Sequence, residues 1–183
     1  MGKVYDEINP TTAEFIRSQH LFFVATAPLD GEGILNLSPK GLTGTFAIVD
    51  RLTVAYLDLT GSGIETVSHL NENHRIVLMF CAFEGPPKIV RLHGVGDIFE
   101  PGEAEFERLR PLFGEFDGVR SIVRVRLTRI SDSCGYAVPL YEFVGERDQL
   151  LRWAERKGPE GIRAYQAESN RKSIGGLPGL RLR

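Results

Sequence analysis

Tyr56-Leu57-Asp58-Leu59-Thr60-Gly61-Ser62-Gly63-Ile64-Glu65-Thr66 is the stretch from which the rest of the chain can be read. Leu52 to Leu59 is rich in strand formers, with Thr53, Val54 and Tyr56 among them. Gly61 and Gly63 interrupt it. From Gly61 to Glu72 the apolar period turns helical, since Ile64, Val67 and Leu70 share one face. A strand therefore runs through a glycine-rich turn straight into a helix. The first amides of a helix lack partners within it, and the helix dipole is positive there. Glycines let an oxyanion come close to the backbone, and Thr60, Ser62 and Thr66 add hydroxyl donors, so the stretch suits a phosphate. The same letters also read as an S-x-x-E capping box, Ser62 to Glu65, which needs no ligand. Gly61-Ser62-Gly63 is no dinucleotide fingerprint, because the third glycine and a surrounding βαβ unit are missing.

Working outward, strands dominate. Thr11-Thr12-Ala13-Glu14 fits a capping box opening a helix of about two turns. His20 to Ala27 and Ile34 to Lys40 read as strands around the turn formers of Pro28 to Gly33. Phe46 to Val49 pairs with Leu52 to Leu59 around Asp50-Arg51. Arg75 to Phe83 is nearly all apolar, as in a strand covered on both faces. Ile89 to Glu100 is a long strand in which Gly94 and Gly96 mark a bulge or a close backbone approach. Glu103 to Phe113 is an amphipathic helix. Val119 to Ser131 is the last strand, with Val119, Val123, Val125 and Leu127 on one face and Arg120, Arg124 and Arg126 on the other. Asp132 to Pro139 is a loop. Glu146 to Lys157 and Glu160 to Ser169 are helical, separated by Gly158-Pro159. Hairpins outnumber helical crossovers, which predicts a mainly β fold: a six-stranded split β-barrel of Greek-key type with flanking helices. Residues 1–145 form the barrel domain, and 146–183 a C-terminal helical extension and irregular tail packed on the barrel or on a partner subunit.

The bulk numbers exclude several functions. The chain has 183 residues, 42% hydrophobic and 25% charged, and a formal net charge of −2, which offers nucleic acid or an anionic membrane no global attraction. No apolar run approaches the roughly 18 residues that span a bilayer, and Met1 to Pro10 is no secretory signal, so a cytoplasmic protein is expected. Cys81 and Cys134 form no CxxC pair and read as reduced structural thiols. The four histidines lack zinc-ligand spacing. No G-x-S-x-G elbow or credible triad occurs.

Three further stretches could carry chemistry. In Asn36-Leu37-Ser38-Pro39-Lys40-Gly41, a strand ends in a lysine before a glycine-rich loop. Lys40 could pair with a phosphate or with an electron-rich ring edge, or simply be a solvated strand end. Arg91 and His93 share a strand face that points either to a cavity or to water. Ser131-Asp132-Ser133-Cys134-Gly135-Tyr136 is a polar loop able to close over a ring system; Cys134 has no identifiable base beside it and is given no catalytic role.

The order of these elements resembles the flavin-binding split barrel of the pyridoxamine 5'-phosphate oxidase family. The likeness rests on the hairpin ending in Lys40, the Thr-containing turn and helix ending in Leu70-x-x-Asn73, the strand Arg75-Ile76-Val77-Leu78-Met79-Phe80, and Val90-Arg91-Leu92-x-Gly94. Ser133-Cys134-Gly135-Tyr136, Gly145-Glu146-Arg147 and Ser173-Ile174-x-Gly176-Leu177-Pro178-Gly179 look like a bacterial subgroup, so the resemblance covers nearly the whole chain. It implies FMN as cofactor, a homodimer with the flavin at the subunit seam, and oxidoreductase activity on a small molecule, with NAD(P)H a candidate electron donor. It also implies cofactor contacts from Ser38, Pro39, Lys40, Gly41, Asp58, Thr60, Gly61, Ser62, Gly63, Thr66 and Arg91. Ser133, Cys134, Gly135 and Tyr136 would complete the pocket, from the same or the partner subunit. The sequence departs from true oxidases where their Arg-Lys pair gives way to Glu65 and Thr66, and where their glutamine becomes Ile89. Their C-terminal Trp and Arg-Leu-x-Pro elements are missing, Trp153 reading as a packing residue. The resemblance thus speaks for the cofactor, not for pyridoxamine phosphate as substrate. The other readings are a non-catalytic flavin carrier or sensor, a barrel for a deazaflavin or haem, and a structural interaction domain.

Overall fold

In a computed structural model, which describes residues 2–182, the chain order is β1 (Val4–Tyr5), α1 (Pro10–Arg17), β2 (Phe22–Thr26), β3 (Asn36–Lys40), β4 (Phe46–Asp50), β5 (Thr53–Leu59), α2 (Glu65–Asn73), β6 (Arg75–Cys81), β7 (Ile89–Phe99), α3 (Ala104–Leu109), β8 (Val119–Ser133) and α4 (Gln149–Ser169). The strands form one sheet in the order β3-β2-β6-β7-β8-β5-β4, with β1 paired to β8. Every pairing is antiparallel. The mainly β class stands, but the count is eight strands and not six. Phe46–Asp50 and Thr53–Leu59 are two strands of a hairpin, and two-residue β1 is too short to show any alternation.

The sheet curls until its ends face each other through side chains. Phe22 of β2 packs against Phe46 of β4 at 5.2 Å, Tyr56 of β5 at 5.5 Å and Phe80 of β6 at 5.4 Å between ring centroids. Each such pair contributes about 0.5–1.5 kcal/mol beyond its burial. Among the described residues no ladder joins β3 to β4, so the barrel is closed by rings along one seam. Inside lie the fully buried Val24, Val54, Leu78, Leu92, Val123 and Val125, as the period-two pattern requires. Ala55, Leu57 and Ile122 face the other way and pack under Phe106 and Leu109 of α3.

Local chemistry sets the ends of the elements. Asn9, and not Thr11, caps α1: its side chain accepts from the Thr12 amide, and Pro10 opens the helix, where a missing N–H costs nothing. Gly94 sits at a register shift in the β7–β8 ladder, where a Cβ would lie 2.4 Å from the Arg126 carbonyl oxygen. A Cβ at Gly96 would meet Leu70 at 2.9 Å, and so α2 can lie close on β7. The helical stretch of α4 is broken at Gly158 (φ 62°), as the Gly-Pro pair predicted, and Trp153 and Tyr165 pack edge to face across the break at 5.0 Å. Beyond α4 the tail turns back on its own barrel, where Leu180 packs against Ile64 and Val67.

One irregularity matters most for function. Along β5 and β8, Asp58 pairs with Ser121 and Leu59 with Val119, leaving Arg120 as the extra residue of a bulge. Simple alternation placed Arg120 with Arg124 and Arg126 on the outer face. The bulge instead buries it, with 4% of its side chain exposed, whereas Arg126 is 60% exposed. It also turns Val119 away from Val123 and onto the α3 side. Bulges commonly re-aim a side chain beside a site.

Candidate functional site

A cleft of about 840 Å³ lies along β3, the turn after β5, the first turn of α2 and the segment 143–150. Its walls hold most of the residues predicted from sequence. β3 presents Ser38, Pro39 and Lys40, followed by Gly41; the turn presents Thr60, Gly61, Ser62 and Gly63; α2 presents Thr66. Asp58 lies beneath this surface, 1% exposed.

Asp58 is the electrostatic centre of the floor. Its Oδ1 is 3.1 Å from Lys40 Nζ and its Oδ2 2.7 Å from Arg120 Nε, and Ser121 Oγ adds a longer contact at 3.3 Å. Burial alone would push this carboxyl up. The charges and hydrogen bonds of Arg120 and Lys40 overcome that and hold it well below the ordinary carboxylate range. Two cations share one carboxylate, which leaves the floor a net positive charge. Beside it, the Tyr56 hydroxyl is buried without a hydrogen-bond partner among the described residues. Burial, then the Asp58 charge, raises it well above a normal phenol.

At the turn, the expected Ser62–Glu65 capping box does not form. α2 begins at Glu65 with Ile64 in the cap position and no side-chain hydrogen bond there, and Glu65 Oε1 instead accepts from the Ile174 amide of the tail. No side chain caps the first turn of α2, although the Glu65 carboxylate lies beside it: Glu65 lines the cleft, and its Oε2 would stand 2.9 Å from a Cβ at Gly63. Ser62 and Gly63 are exposed. Thr60 is not a ligand donor: its hydroxyl donates to the Gly118 carbonyl at 2.7 Å and accepts from Gln166 at 2.7 Å. Thr66 differs. Asn36 spends both amide protons, one on Thr66 Oγ1 at 2.9 Å and one on Thr26 Oγ1 at 3.1 Å. Ser38 donates to Asn36 Oδ1 at 2.8 Å. Thr26 Oγ1 also meets His69 Nδ1 at 2.9 Å, and burial lowers the pKa of that ring. Thr66 accepts from Asn36 and keeps its proton for an acceptor in the cleft.

The remaining predicted residues lie apart from this cleft within one chain. Arg91 donates to Ser133 Oγ at 2.9 Å on the β7–β8 pair. Cys134 is exposed and free, Gly135 is buried against the Lys88 backbone, and Tyr136 is 83% exposed. Sequence reasoning missed Arg120, Asn36, His20 and Phe143, all of which line the cleft. His20 and Phe143 stack in parallel, with 3.6 Å between ring centroids. Nothing in local sequence joins residues 123 positions apart, and only a bulge makes Arg120 inward. Among the described residues, no group of three or more His, Cys, Asp or Glu side chains could hold a metal, and no helix is long and apolar enough to cross a membrane.

A curled antiparallel sheet, split along one seam, with a glycine turn and an uncapped helix start on its flank, defines the split-barrel class. Among solved structures the chain is similar to HupZ of Group A Streptococcus, with a TM-score of 0.53 and 22% identity over 69% of this chain and 99% of that one. It is also similar to an FAD-binding protein of Mesorhizobium loti, with a TM-score of 0.50 and 12% identity over 72% and 96% of the two chains. The family model described as pyridoxamine 5'-phosphate oxidase matches residues 8–134. The pyridoxamine 5'-phosphate oxidase family protein ustO of Aspergillus flavus is 34% identical over 192 residues, spanning 96% of this chain and 77% of that one. The chain belongs to the pyridoxamine 5'-phosphate oxidase family.

Proposed function

We propose that the cleft binds FMN and that the protein is an FMN-dependent oxidoreductase acting on a substrate other than pyridoxamine phosphate. The observation that carries this reading is the anion corner. Uncapped amides at the start of α2, a glycine turn open to the cleft and the Thr66 proton converge there, above a floor where Lys40 and Arg120 outnumber Asp58. Amides, hydroxyl and floor charge together suit a dianionic monoester. Leu57, Leu59, Leu42 and Leu150 give the same cleft apolar walls, which suit a flat ring. Family membership supports a flavin, and one structural neighbour carries the description FAD-binding.

Bound FMN supplies a ring that takes up or gives up a hydride. The chain's own residues bind and shield: Thr66 and the α2 amides hold the anion, Lys40 and Arg120 balance its charge, and the leucines exclude water. The working unit in this reading is a homodimer. Leu35 just before edge strand β3, Leu37 on it, and Tyr136, Leu140, Tyr141 and Val144 in the segment after β8, are large apolar residues left exposed by one chain, and a C2 partner would cover them. Arg91 and Ser133 to Tyr136, remote from their own cleft, would then serve the partner's.

The first experiment is an absorption spectrum of freshly purified protein, followed by titration with FMN. A flavin spectrum and a melting temperature that rises with FMN are expected. A colourless protein that FMN does not stabilise overturns the reading. Bound FMN that neither NADH nor NADPH reduces, and whose reduced form meets oxidants no faster than free FMN does, assigns a carrier or sensor instead of an enzyme. Sedimentation as a monomer at micromolar concentration removes the dimer.

A further inference from the structure

The inner side of the glycine turn is held by the C-terminal helix, 109 positions away in sequence. Asn170, the residue that ends α4, is fully buried. Its Nδ2 donates to the Gly61 carbonyl at 2.9 Å, and its Oδ1 accepts from Arg120 Nη1 at 3.0 Å. Arg120 Nη1 also reaches the Gly61 carbonyl, at 3.2 Å. Asn170 is itself fixed from two sides: its amide donates to the Gln166 carbonyl and its carbonyl accepts from the Leu180 amide, both at 2.9 Å. One turn back on α4, Gln166 holds Thr60.

This arrangement has a geometric consequence. A trans peptide is planar, and its C=O and N–H point in opposite directions. The Gly61 carbonyl and the Ser62 amide belong to one peptide. With the carbonyl pinned inward on Asn170 and Arg120, the Ser62 N–H faces outward, on the side where Gly61 and Ser62 line the cleft. A flipped peptide would present a carbonyl oxygen there and repel an anion.

We infer that Asn170 is a positioning residue for the cofactor's phosphate: it locks the Gly61–Ser62 peptide so that an amide donor, and not a carbonyl, faces the cleft. The inference rests on the FMN reading. Nothing in the barrel signature requires it, since Asn170 lies outside the residues 8–134 matched by the family model.

The test compares FMN with riboflavin, which has the ring but no phosphate. Asn170→Asp keeps an acceptor for Arg120 but sets a second carboxylate oxygen against the Gly61 carbonyl, which favours the flipped peptide. Dissociation constants for both flavins are measured by quenching of flavin fluorescence, well below the melting temperature of each protein. The wild type is expected to prefer FMN. N170D is expected to lose about tenfold or more of that preference, the worth of one hydrogen bond to a charged group, with riboflavin affinity nearly unchanged. Because N170D also adds a negative charge beside Arg120, Asn170→Ser, which removes the donor without adding charge, is measured alongside it and is expected to lose preference for FMN in the same direction. Parallel weakening of both flavins, or an unchanged preference for FMN, overturns this inference alone. A wild type that binds neither flavin overturns the FMN reading and takes this inference with it.

Discussion

Replacing Asp58 by Asn tests the electrostatic floor directly. The side chain keeps its shape and loses its charge, while Lys40 and Arg120 stay in place at 3.1 and 2.7 Å. Removing one partner of a buried ionic cluster costs about 3–5 kcal/mol, because a charge is left uncompensated away from water. Lys40 is 23% exposed and can swing into solvent, whereas Arg120, 4% exposed, cannot. The penalty falls mainly on Arg120, which argues for about 3 kcal/mol. For a chain of this size each kcal/mol moves the melting temperature by about 2–4 °C, so D58N should melt about 6–12 °C below wild type at neutral pH. The difference should also depend on acid. Asp58 has a folded pKa below its unfolded value, so the unfolded chain binds the proton more readily, and the carboxylate's contribution is present above the unfolded value. As pH falls below about 4 toward the folded value, that contribution fades and the two proteins should converge. The assay is circular-dichroism melting at neutral pH and at a series of acid pH values. A D58N that melts with wild type at neutral pH, or a gap that widens in acid, would falsify the account of the floor.

Other substitutions probe separate parts of the site. Tyr56→Phe removes a buried hydroxyl without a partner, so stability should hold or rise by about 1 kcal/mol; a drop of that size in a thermal melt would show that the hydroxyl is satisfied. Gly61→Val adds a side chain where nothing of the protein lies within 4 Å of a Cβ, so the melt should move little while FMN affinity falls; unchanged affinity in a titration would take the phosphate away from this turn. Glu105, whose pKa is lowered to about 2 by hydrogen bonds and charge from Arg108 and Arg124, stabilises the fold above its unfolded value. That part is lost as pH falls from about 4.5 toward 2, so Glu105→Gln should shrink the acid-dependent change in melting temperature, and an identical acid profile would refute it.

The fold was legible because its signals are local. Alternating apolar residues, the Gly-Pro break at Gly158-Pro159 and the strand–turn–helix at Thr60 to Thr66 each depend on neighbours a few positions apart. The cap of α1 was misread because Thr11 and Asn9 offer the same chemistry two residues apart, and only Pro10 decides between them. The cleft's near wall was legible for the same reason, with Lys40 and the turn found from composition and spacing. Its floor was not. Arg120 reaches Asp58 only because an extra residue shifts the β5–β8 register, and an insertion of that kind leaves alternation looking normal on either side. Asn36 gains its meaning from a network joining β2, β3 and α2, and Asn170 from a tail that folds back over more than a hundred residues.

The seam of the barrel has a mechanical side. Phe22, Phe46, Tyr56 and Phe80 meet there by shape alone, while each neighbouring strand is stitched to the next by backbone bonds. A gap sealed by interlocking rings can widen and reclose without unravelling a single ladder. The β2–β3 and β4–β5 hairpins therefore lean on one another through side chains and not through a ladder, so truncating one of these rings would loosen the barrel along that line first. Both hairpins also wall the cleft, β3 through Ser38 to Lys40 and β5 through Leu57 and Leu59.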